Sequence, residues 1–295
     1  MGSARSAQFL LEFGRLNLDP AVVQFAICNE IFKGWALEDA MAFVAKAGYD
    51  AMEIAPFTIS KYVTDISVSE RQKIREASVR TGVAISGIHW VLAQTDGLHL
   101  NHPDKAIREH TSRYLCCLVD FCADIGGRIM VVGSPKQRNV LEGVSAEDAW
   151  QWAAATFACS VGRAMERGVT ICLEPLAPSE TNFIKTAAEA IRFVRQFNSP
   201  NFKIILDVKA MSSESQPIPQ IITDSWPHFA YFHANDKNLK GPGFGKVDFT
   251  PIAAALKKVG YDGYVSVEVF DFEEGPEKIA TGSIDYLKRV FGQCH

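Results

Sequence analysis

The chain of 295 residues has no apolar run that approaches the roughly 20 residues of a membrane-spanning helix. It also has no excess of basic residues, because 30 Lys and Arg stand against 34 Asp and Glu, for a formal net charge of −4. We therefore expect a chain that neither spans a membrane nor binds nucleic acid, since a nucleic-acid groove needs a basic surface.

None of the seven cysteines stands in a CxxC pair, and most lie in apolar stretches. This pattern argues against a thiolate zinc site and against a disulfide framework. We expect buried free thiols and a cytoplasmic location. Residues 1–23 are interpreted as an N-terminal arm and not as a signal peptide, because Glu12 interrupts their short apolar stretch and no clear cleavage site follows.

Glycine-rich nucleotide motifs are absent as well. No GxGxxG follows the first predicted strand, and no GxxxxGK[ST] occurs anywhere. An open doubly wound sheet therefore remains only the alternative architecture.

The chain instead alternates short apolar runs with longer amphipathic segments, and 47% of its residues are hydrophobic. Strands that are nearly all apolar are typical of a parallel sheet covered by helices on the outside. We predict one (β/α)8 TIM barrel, a single α/β domain over residues 24–295. The eight predicted strands cover residues 24–30, 51–56, 84–90, 128–134, 170–176, 203–208, 229–236 and 264–270.

Polar residues interrupt the apolar pattern at the same end of the last four strands: Glu174, Asp207, His233 and Glu268. Singly, a strand-end Glu is usually a cap and a strand His is usually a core residue, but the joint pattern is hard to explain in that way. Functional residues of a TIM barrel lie at the C-terminal strand ends. Buried carboxylates cannot all stay ionised without a cation. We therefore predict one divalent ion per chain, with Mn²⁺ first and Mg²⁺, Co²⁺ or Zn²⁺ also suited to these donors.

The motifs around these residues resemble the xylose-isomerase-like TIM-barrel family, which includes ketose 3-epimerases, hydroxypyruvate isomerase, inosose dehydratase and endonuclease IV. The family's metal motifs look like four stretches of this chain: "LEP" with Glu174, "LDV" with Asp207, "FHAND" with His233 and "VEVF" with Glu268. The family's loop after strand 7 looks like "GPGFGKVDF". The gaps of 33, 26 and 35 residues between the four ligands are very similar to those of ketose 3-epimerases.

The resemblance implies a sugar isomerase or epimerase that acts on a ketose or a related polyol-ketone through an ene-diolate. Glu174 and Glu268 match the family's two proton-transferring glutamates.

Loss of a β-oxygen from the same intermediate would instead give a lyase or dehydratase on a keto-sugar or inosose. An endonuclease IV-like hydrolase would need further histidines, and Ala210 stands at one of those positions. A non-catalytic binding protein would leave the complete ligand set without a role. By analogy with the family, the chain would form a dimer or a tetramer.

The substrate contacts of ketose 3-epimerases are only partly matched. Glu180 matches their second glutamate, whereas Ala210 replaces a histidine and Leu239 replaces an arginine. Other expected substrate contacts near the strand ends are Glu53, His89, Trp90, Asn182, Lys209, Asn235 and Asp236. Several of these also suit ordinary structural roles, such as a core Trp or an Asn-Asp turn. Lys136 and Arg138 are interpreted as a solvated basic loop, and contact with a substrate carboxylate or phosphate is the alternative.

Overall fold

A computed structural model describes residues 23–293 of the chain. Eight parallel strands close into a barrel in sequence order, and the last strand pairs with the first. The predicted (β/α)8 barrel is confirmed. The predicted N-terminal arm lies outside the described residues except for Val23, and stays a prediction. The strands are β1 Gln24–Cys28, β2 Ala51–Ile54, β3 Ala84–Ile88, β4 Ile129–Val132, β5 Thr170–Leu173, β6 Phe202–Asp207, β7 Phe229–Ala234 and β8 Tyr264–Val267.

The helices lie between the strands and after β8. The segment between β6 and β7 forms two short helices. The helices are α1 Leu37–Ala47, α2 Val68–Thr81, α3 Lys105–Asp124, α4 Ala146–Arg167, α5 Ala187–Arg195, α6 Val208–Met211, α7 Ile218–Ser225, α8 Thr250–Lys258 and α9 Pro276–Gly292. Within residues 23–293 no helix is both long and apolar enough to cross a bilayer.

The helix boundaries follow from local capping chemistry. Ser67 begins α2 with a reciprocal capping box, in which its hydroxyl accepts from Glu70 N and the Glu70 carboxylate accepts from Ser67 N. Ser145 begins α4 by accepting from Asp148 N. Gly168 ends α4 at φ 65°, a left-handed conformation that glycine adopts without steric cost.

All eight strands end one to three residues before their predicted C-terminal limits. Trp90 and Ser134 show why for β3 and β4, because their φ angles of 53° and 34° take the backbone out of the extended region. The apolar runs therefore continue past the sheet into the loops. As a result, several polar residues predicted inside strands lie just beyond them, at the C-terminal mouth of the barrel.

Among the six cysteines of residues 23–293, the expectation of buried thiols is confirmed for those that lie near the sheet: Cys28, Cys122 and Cys172. It is wrong for the half-buried or exposed cysteines of the outer helices: Cys116, Cys117 and Cys159. Cys294 lies outside the described residues. The helical period turns part of each apolar stretch towards solvent, so an apolar neighbourhood in sequence does not guarantee burial.

Arg138 corrects the interpretation of a solvated basic loop, because its side chain is fully buried beside the C-terminal mouth, whereas Lys136 is exposed. Its guanidinium donates to the carbonyl oxygens of Gly133 at 3.1 Å, Glu174 at 2.6 Å and Ile184 at 3.3 Å. Burial lowers the pKa of Arg138 to about 10. The side chain thereby ties together the ends of β4 and β5 and the loop that follows β5.

We expect Arg138→Leu to lower the free energy of unfolding by about 3 kcal/mol, since three buried carbonyls would lose a charged donor. Urea unfolding followed by circular dichroism measures this change. Arg113→Leu, at an exposed position of α3, is the matched control and should stay within about 0.5 kcal/mol of the parent chain. Equal effects of the two substitutions would contradict the role assigned to Arg138.

Candidate active site

The four polar residues predicted at the strand ends converge in space. Asp207 and His233 are register partners on β6 and β7, while Glu174 and Glu268 directly follow β5 and β8. One ligand atom from each residue lies within 4.8 Å of the other three, and all four side chains are buried. We call these four residues the strand-end cluster.

The carboxylates of this cluster crowd one another. Burial and the charge of Glu268 raise the pKa of Glu174 to about 8 and that of Asp207 to about 6. Burial also opposes ionisation of Glu268, but the imidazole of His233 outweighs it, and the pKa of Glu268 is lowered. The cluster thus concentrates more negative charge than a buried site holds by itself, and a divalent cation would relieve that repulsion.

His233 presents one ring nitrogen to the cluster and the other to the protein interior. Its Nε2 lies 3.0 Å from Glu53 Oε2. Its Nδ1 is buried without a hydrogen bond, although it lies 3.2 Å from Glu268 Oε2 and 3.9 Å from Glu174 Oε1. When Nε2–H donates to Glu53, the lone pair of Nδ1 faces the carboxylates, which is the arrangement of a metal-binding histidine with a supporting carboxylate.

Glu53, expected to contact substrate, instead lies beneath the strand-end cluster with no exposed surface. Its Oε2 also accepts from Ser266 Oγ at 2.7 Å and from Tyr231 OH at 3.1 Å. Burial opposes its charge, but the imidazoles of His233 and His89 bring the pKa of Glu53 down to about 2. This carboxylate therefore stays ionised and orients His233.

Asn235, which the sequence suggests as a substrate contact, instead binds two carboxylates of the strand-end cluster. Its amide nitrogen donates to Asp207 Oδ2 at 2.5 Å and to Glu268 Oε2 at 3.4 Å. Its amide oxygen accepts from Lys209 N at 2.8 Å. Because an Asn-Asp pair after a strand usually indicates a turn, only the folded arrangement identifies Asn235 as a bridge between two carboxylates.

Gly133 follows β4 and is a feature that sequence reasoning missed. A Cβ atom at this position would lie 2.1 Å from Glu174 Oε2, so any side chain would displace that carboxylate. The glycine in "VVGSP" was the available signal, since a glycine at a strand end often marks a close approach of other atoms.

A small cavity of about 20 Å³ lies over Glu174 and Glu268, and we call it the chamber. Glu180 and Lys209 line it and form an ion pair, with Lys209 Nζ 2.7 Å from Glu180 Oε1. Glu180 Oε2 is buried and has no hydrogen-bond partner. The expected contacts Glu180 and Lys209 therefore reach the chamber, and Glu180 keeps one oxygen free to accept from a ligand hydroxyl.

His89 and Trp90 line the chamber from the end of β3. His89 is held between two carboxylates, with Nε2 3.0 Å from Glu30 Oε2 and Nδ1 3.4 Å from Glu268 Oε1. Burial opposes its charged form, but Glu30 and Glu53 outweigh burial and raise the pKa of His89 to about 10. His89 is thus a cationic proton donor at the chamber wall.

Asn182 and Asp236, also expected to contact substrate, bind other parts of the protein. The Asn182 amide exchanges hydrogen bonds with the Val140 backbone at 2.7 and 3.0 Å. Asp236 accepts from Val247 N at 2.8 Å and leaves no space for a side chain at Gly245. These two residues shape the loops after β4, β5 and β7, and neither lines the chamber.

Two proteins align with most of the chain. The D-psicose 3-epimerase of Ruminiclostridium cellulolyticum is 28% identical over 232 residues, which cover 77% of this chain and 76% of that protein. The L-ribulose 3-epimerase of Mesorhizobium japonicum is 29% identical over 248 residues, which cover 83% and 79%.

The fold also matches a crystal structure of D-psicose 3-epimerase with D-tagatose from Clostridium cellulolyticum H10. The TM-score is 0.81 at 21% identity, with 91% of this chain and 99% of the other covered. Residues 41–290, which include the whole strand-end cluster, match the sequence profile of xylose isomerase-like TIM barrels. This chain therefore belongs to the xylose isomerase-like TIM barrel family.

Proposed function

We propose that the chain is a divalent-metal-dependent isomerase or epimerase of a ketose or a related polyol-ketone. The observation that carries this proposal is the convergence of four buried ligand atoms within 4.8 Å at the C-terminal mouth of a barrel. The similarity to D-psicose and L-ribulose 3-epimerases supports the same class of reaction.

The ion would bind to carboxylate oxygens of Glu174, Asp207 and Glu268 and to Nδ1 of His233. This donor set suits Mn²⁺ first, and also Mg²⁺, Co²⁺ or Zn²⁺. When bound, such an ion polarises the substrate carbonyl and stabilises negative charge on its oxygens. Glu53 and Asn235 keep the imidazole and two of the carboxylates in place.

Glu174 and Glu268 would move the proton. They follow β5 and β8, which β6 and β7 separate in the ring, so the two carboxylates approach the chamber from different sides. One carboxylate would remove the proton next to the carbonyl, and the other would return a proton to the opposite face. Return to the same carbon gives an epimer, and return to the neighbouring carbon gives an aldose–ketose pair.

The substrate would be positioned by four residues of the chamber wall: Lys209, Glu180, His89 and Trp90. The free oxygen of Glu180 can accept from a hydroxyl, while Lys209 binds its other oxygen. Trp90 offers an apolar face to the sugar ring.

His89 favours a second candidate, a lyase or dehydratase on a keto-sugar. A cationic imidazole at the chamber wall can protonate a departing oxygen, a step that epimerisation does not require. The same proton removal by Glu174 or Glu268 would begin either reaction.

Glu174→Gln and Glu268→Gln should each lower kcat by about 10³-fold or more, because each removes a proton-transfer group. Each should also weaken Mn²⁺ binding, measured by calorimetry. The matched control is Glu142→Gln, at an exposed loop position, which should leave both quantities unchanged. Full activity in either of the first two variants would refute its assigned role.

Treatment with a chelator should abolish activity and lower Tm, because it exposes the carboxylate repulsion within the strand-end cluster. Adding Mn²⁺ or Co²⁺ should restore both, with one ion per chain by elemental analysis. Asp207→Asn should show a much smaller rise in Tm with Mn²⁺. Three ions per chain would point to the nuclease class, and indifference to chelation would overturn the metal site.

Reaction in D₂O should separate the two candidate activities. An epimerase should place one deuterium on the inverted carbon of a ketose without change in molecular formula, whereas a lyase should release water or an alcohol. Nuclear magnetic resonance and mass spectrometry of a hexulose and inosose panel measure both outcomes. Elimination without any epimer would exclude the leading candidate.

A further inference from the structure

A second and much larger cavity opens beside the chamber. Its volume is about 940 Å³, against about 20 Å³ for the chamber. The two share four lining residues: Trp90, Ser134, Pro135 and Phe270. We call the larger cavity the groove. It is continuous with the proposed reaction site, and its volume lies in the range of sites that hold ligands well above monosaccharide size.

Six aromatic residues line the groove: Phe32, Trp35, Phe57, Trp90, Phe270 and Phe272. Among residues 23–293, three aromatic side chains are exposed, and two of them, Trp35 at 37% and Phe272 at 45%, lie here. Trp35 is braced edge-on by Phe32 and Phe43, each with ring centroids 5.6 Å away. Trp35 and Phe272 therefore give the wall an apolar surface that is open to solvent.

The inner polar groups of the groove are already engaged by the protein. Asn29 Oδ1 accepts from Ala55 N at 2.8 Å, and Ser134 Oγ accepts from Leu92 N at 3.1 Å. Glu30 is paired with His89. A ligand in the groove would meet aromatic faces, which bind flat apolar groups by stacking, beside the polar side chains of Lys33, Gln94, Lys136 and Gln137.

The backbone around the groove is strained. Of six non-glycine residues with positive φ in the described part of the chain, three line the groove: Trp90 at 53°, Gln94 at 60° and Ser134 at 34°. Such conformations cost about 1–3 kcal/mol each and concentrate at ligand sites. The strain supports a binding role for the groove, independently of its apolar lining.

We propose that the substrate is a keto-sugar glycoside whose reacting carbons face the chamber, whose sugar ring lies at the boundary formed by Trp90 and Phe270, and whose apolar, ring-containing aglycone lies in the groove. This inference rests on the proposed function, because the reacting carbon must reach Glu174 and Glu268.

The test compares phenyl and methyl 3-dehydro-β-D-glucosides as substrates for solvent deuterium exchange with the Mn²⁺-loaded protein. The phenyl glycoside should have a kcat/KM about tenfold higher or more, mainly through a lower KM. Phe272→Ala and Trp35→Ala should each reduce this ratio at least threefold while leaving the methyl glycoside unchanged. Trp226→Ala is the matched control, because Trp226 is 39% exposed and precedes β7 at the other end of the barrel.

Equal kcat/KM values for the two glycosides, unaffected by Phe272→Ala, would overturn the inference. If neither glycoside exchanges deuterium with solvent, calorimetry measures whether the phenyl glycoside binds. Binding that Phe272→Ala weakens would support the groove as the aglycone site and would count against the proposed function alone. Lack of binding would overturn the groove. Phe272→Ala or Trp35→Ala could instead change the oligomeric state without changing the phenyl-to-methyl ratio of kcat/KM. That result would assign the groove to contacts between copies of the chain and would also overturn the inference.

Discussion

Repulsion among three buried carboxylates at one end of a barrel is the constraint on which the surrounding structure depends. Glu174, Asp207 and Glu268 share a buried volume with one imidazole, and each has ligand atoms within 4.8 Å of the others. The neighbouring residues hold this arrangement in place: Glu53 orients His233, Asn235 bridges two carboxylates, and Arg138 binds the Glu174 carbonyl. A divalent ion, as we propose, would complete the charge balance.

The C-terminal mouth divides into two compartments of different chemistry. The chamber is small and charged, with the Lys209–Glu180 pair and His89 at its wall. The groove is large and aromatic. Trp90 belongs to both, and its positive φ ends the extended backbone of β3 at the boundary between them. A single backbone feature therefore terminates a strand and helps to form both binding surfaces.

Much of the fold could be predicted because a TIM barrel repeats one local pattern. The strands begin within one residue of their predicted positions, since apolar runs flanked by helix ends are a strong local signal. The strand-end cluster was predictable for a similar reason: four polar residues at equivalent strand ends must meet once the barrel closes. The burial of Arg138 was not predictable, because its partners are backbone carbonyls whose positions leave no trace in residue identity.

The sequence by itself determined the barrel, the family and the four residues of the strand-end cluster, because each depends on periodicity or on motif spacing along the chain. Only the tertiary structure decided what the other polar residues contact. It directs Glu53 to His233, Asn182 to the Val140 backbone and Asp236 to its own loop, while Glu180 and Lys209 reach the chamber. The physical reason is that side-chain direction just past a strand end depends on loop backbone angles, which long-range packing sets.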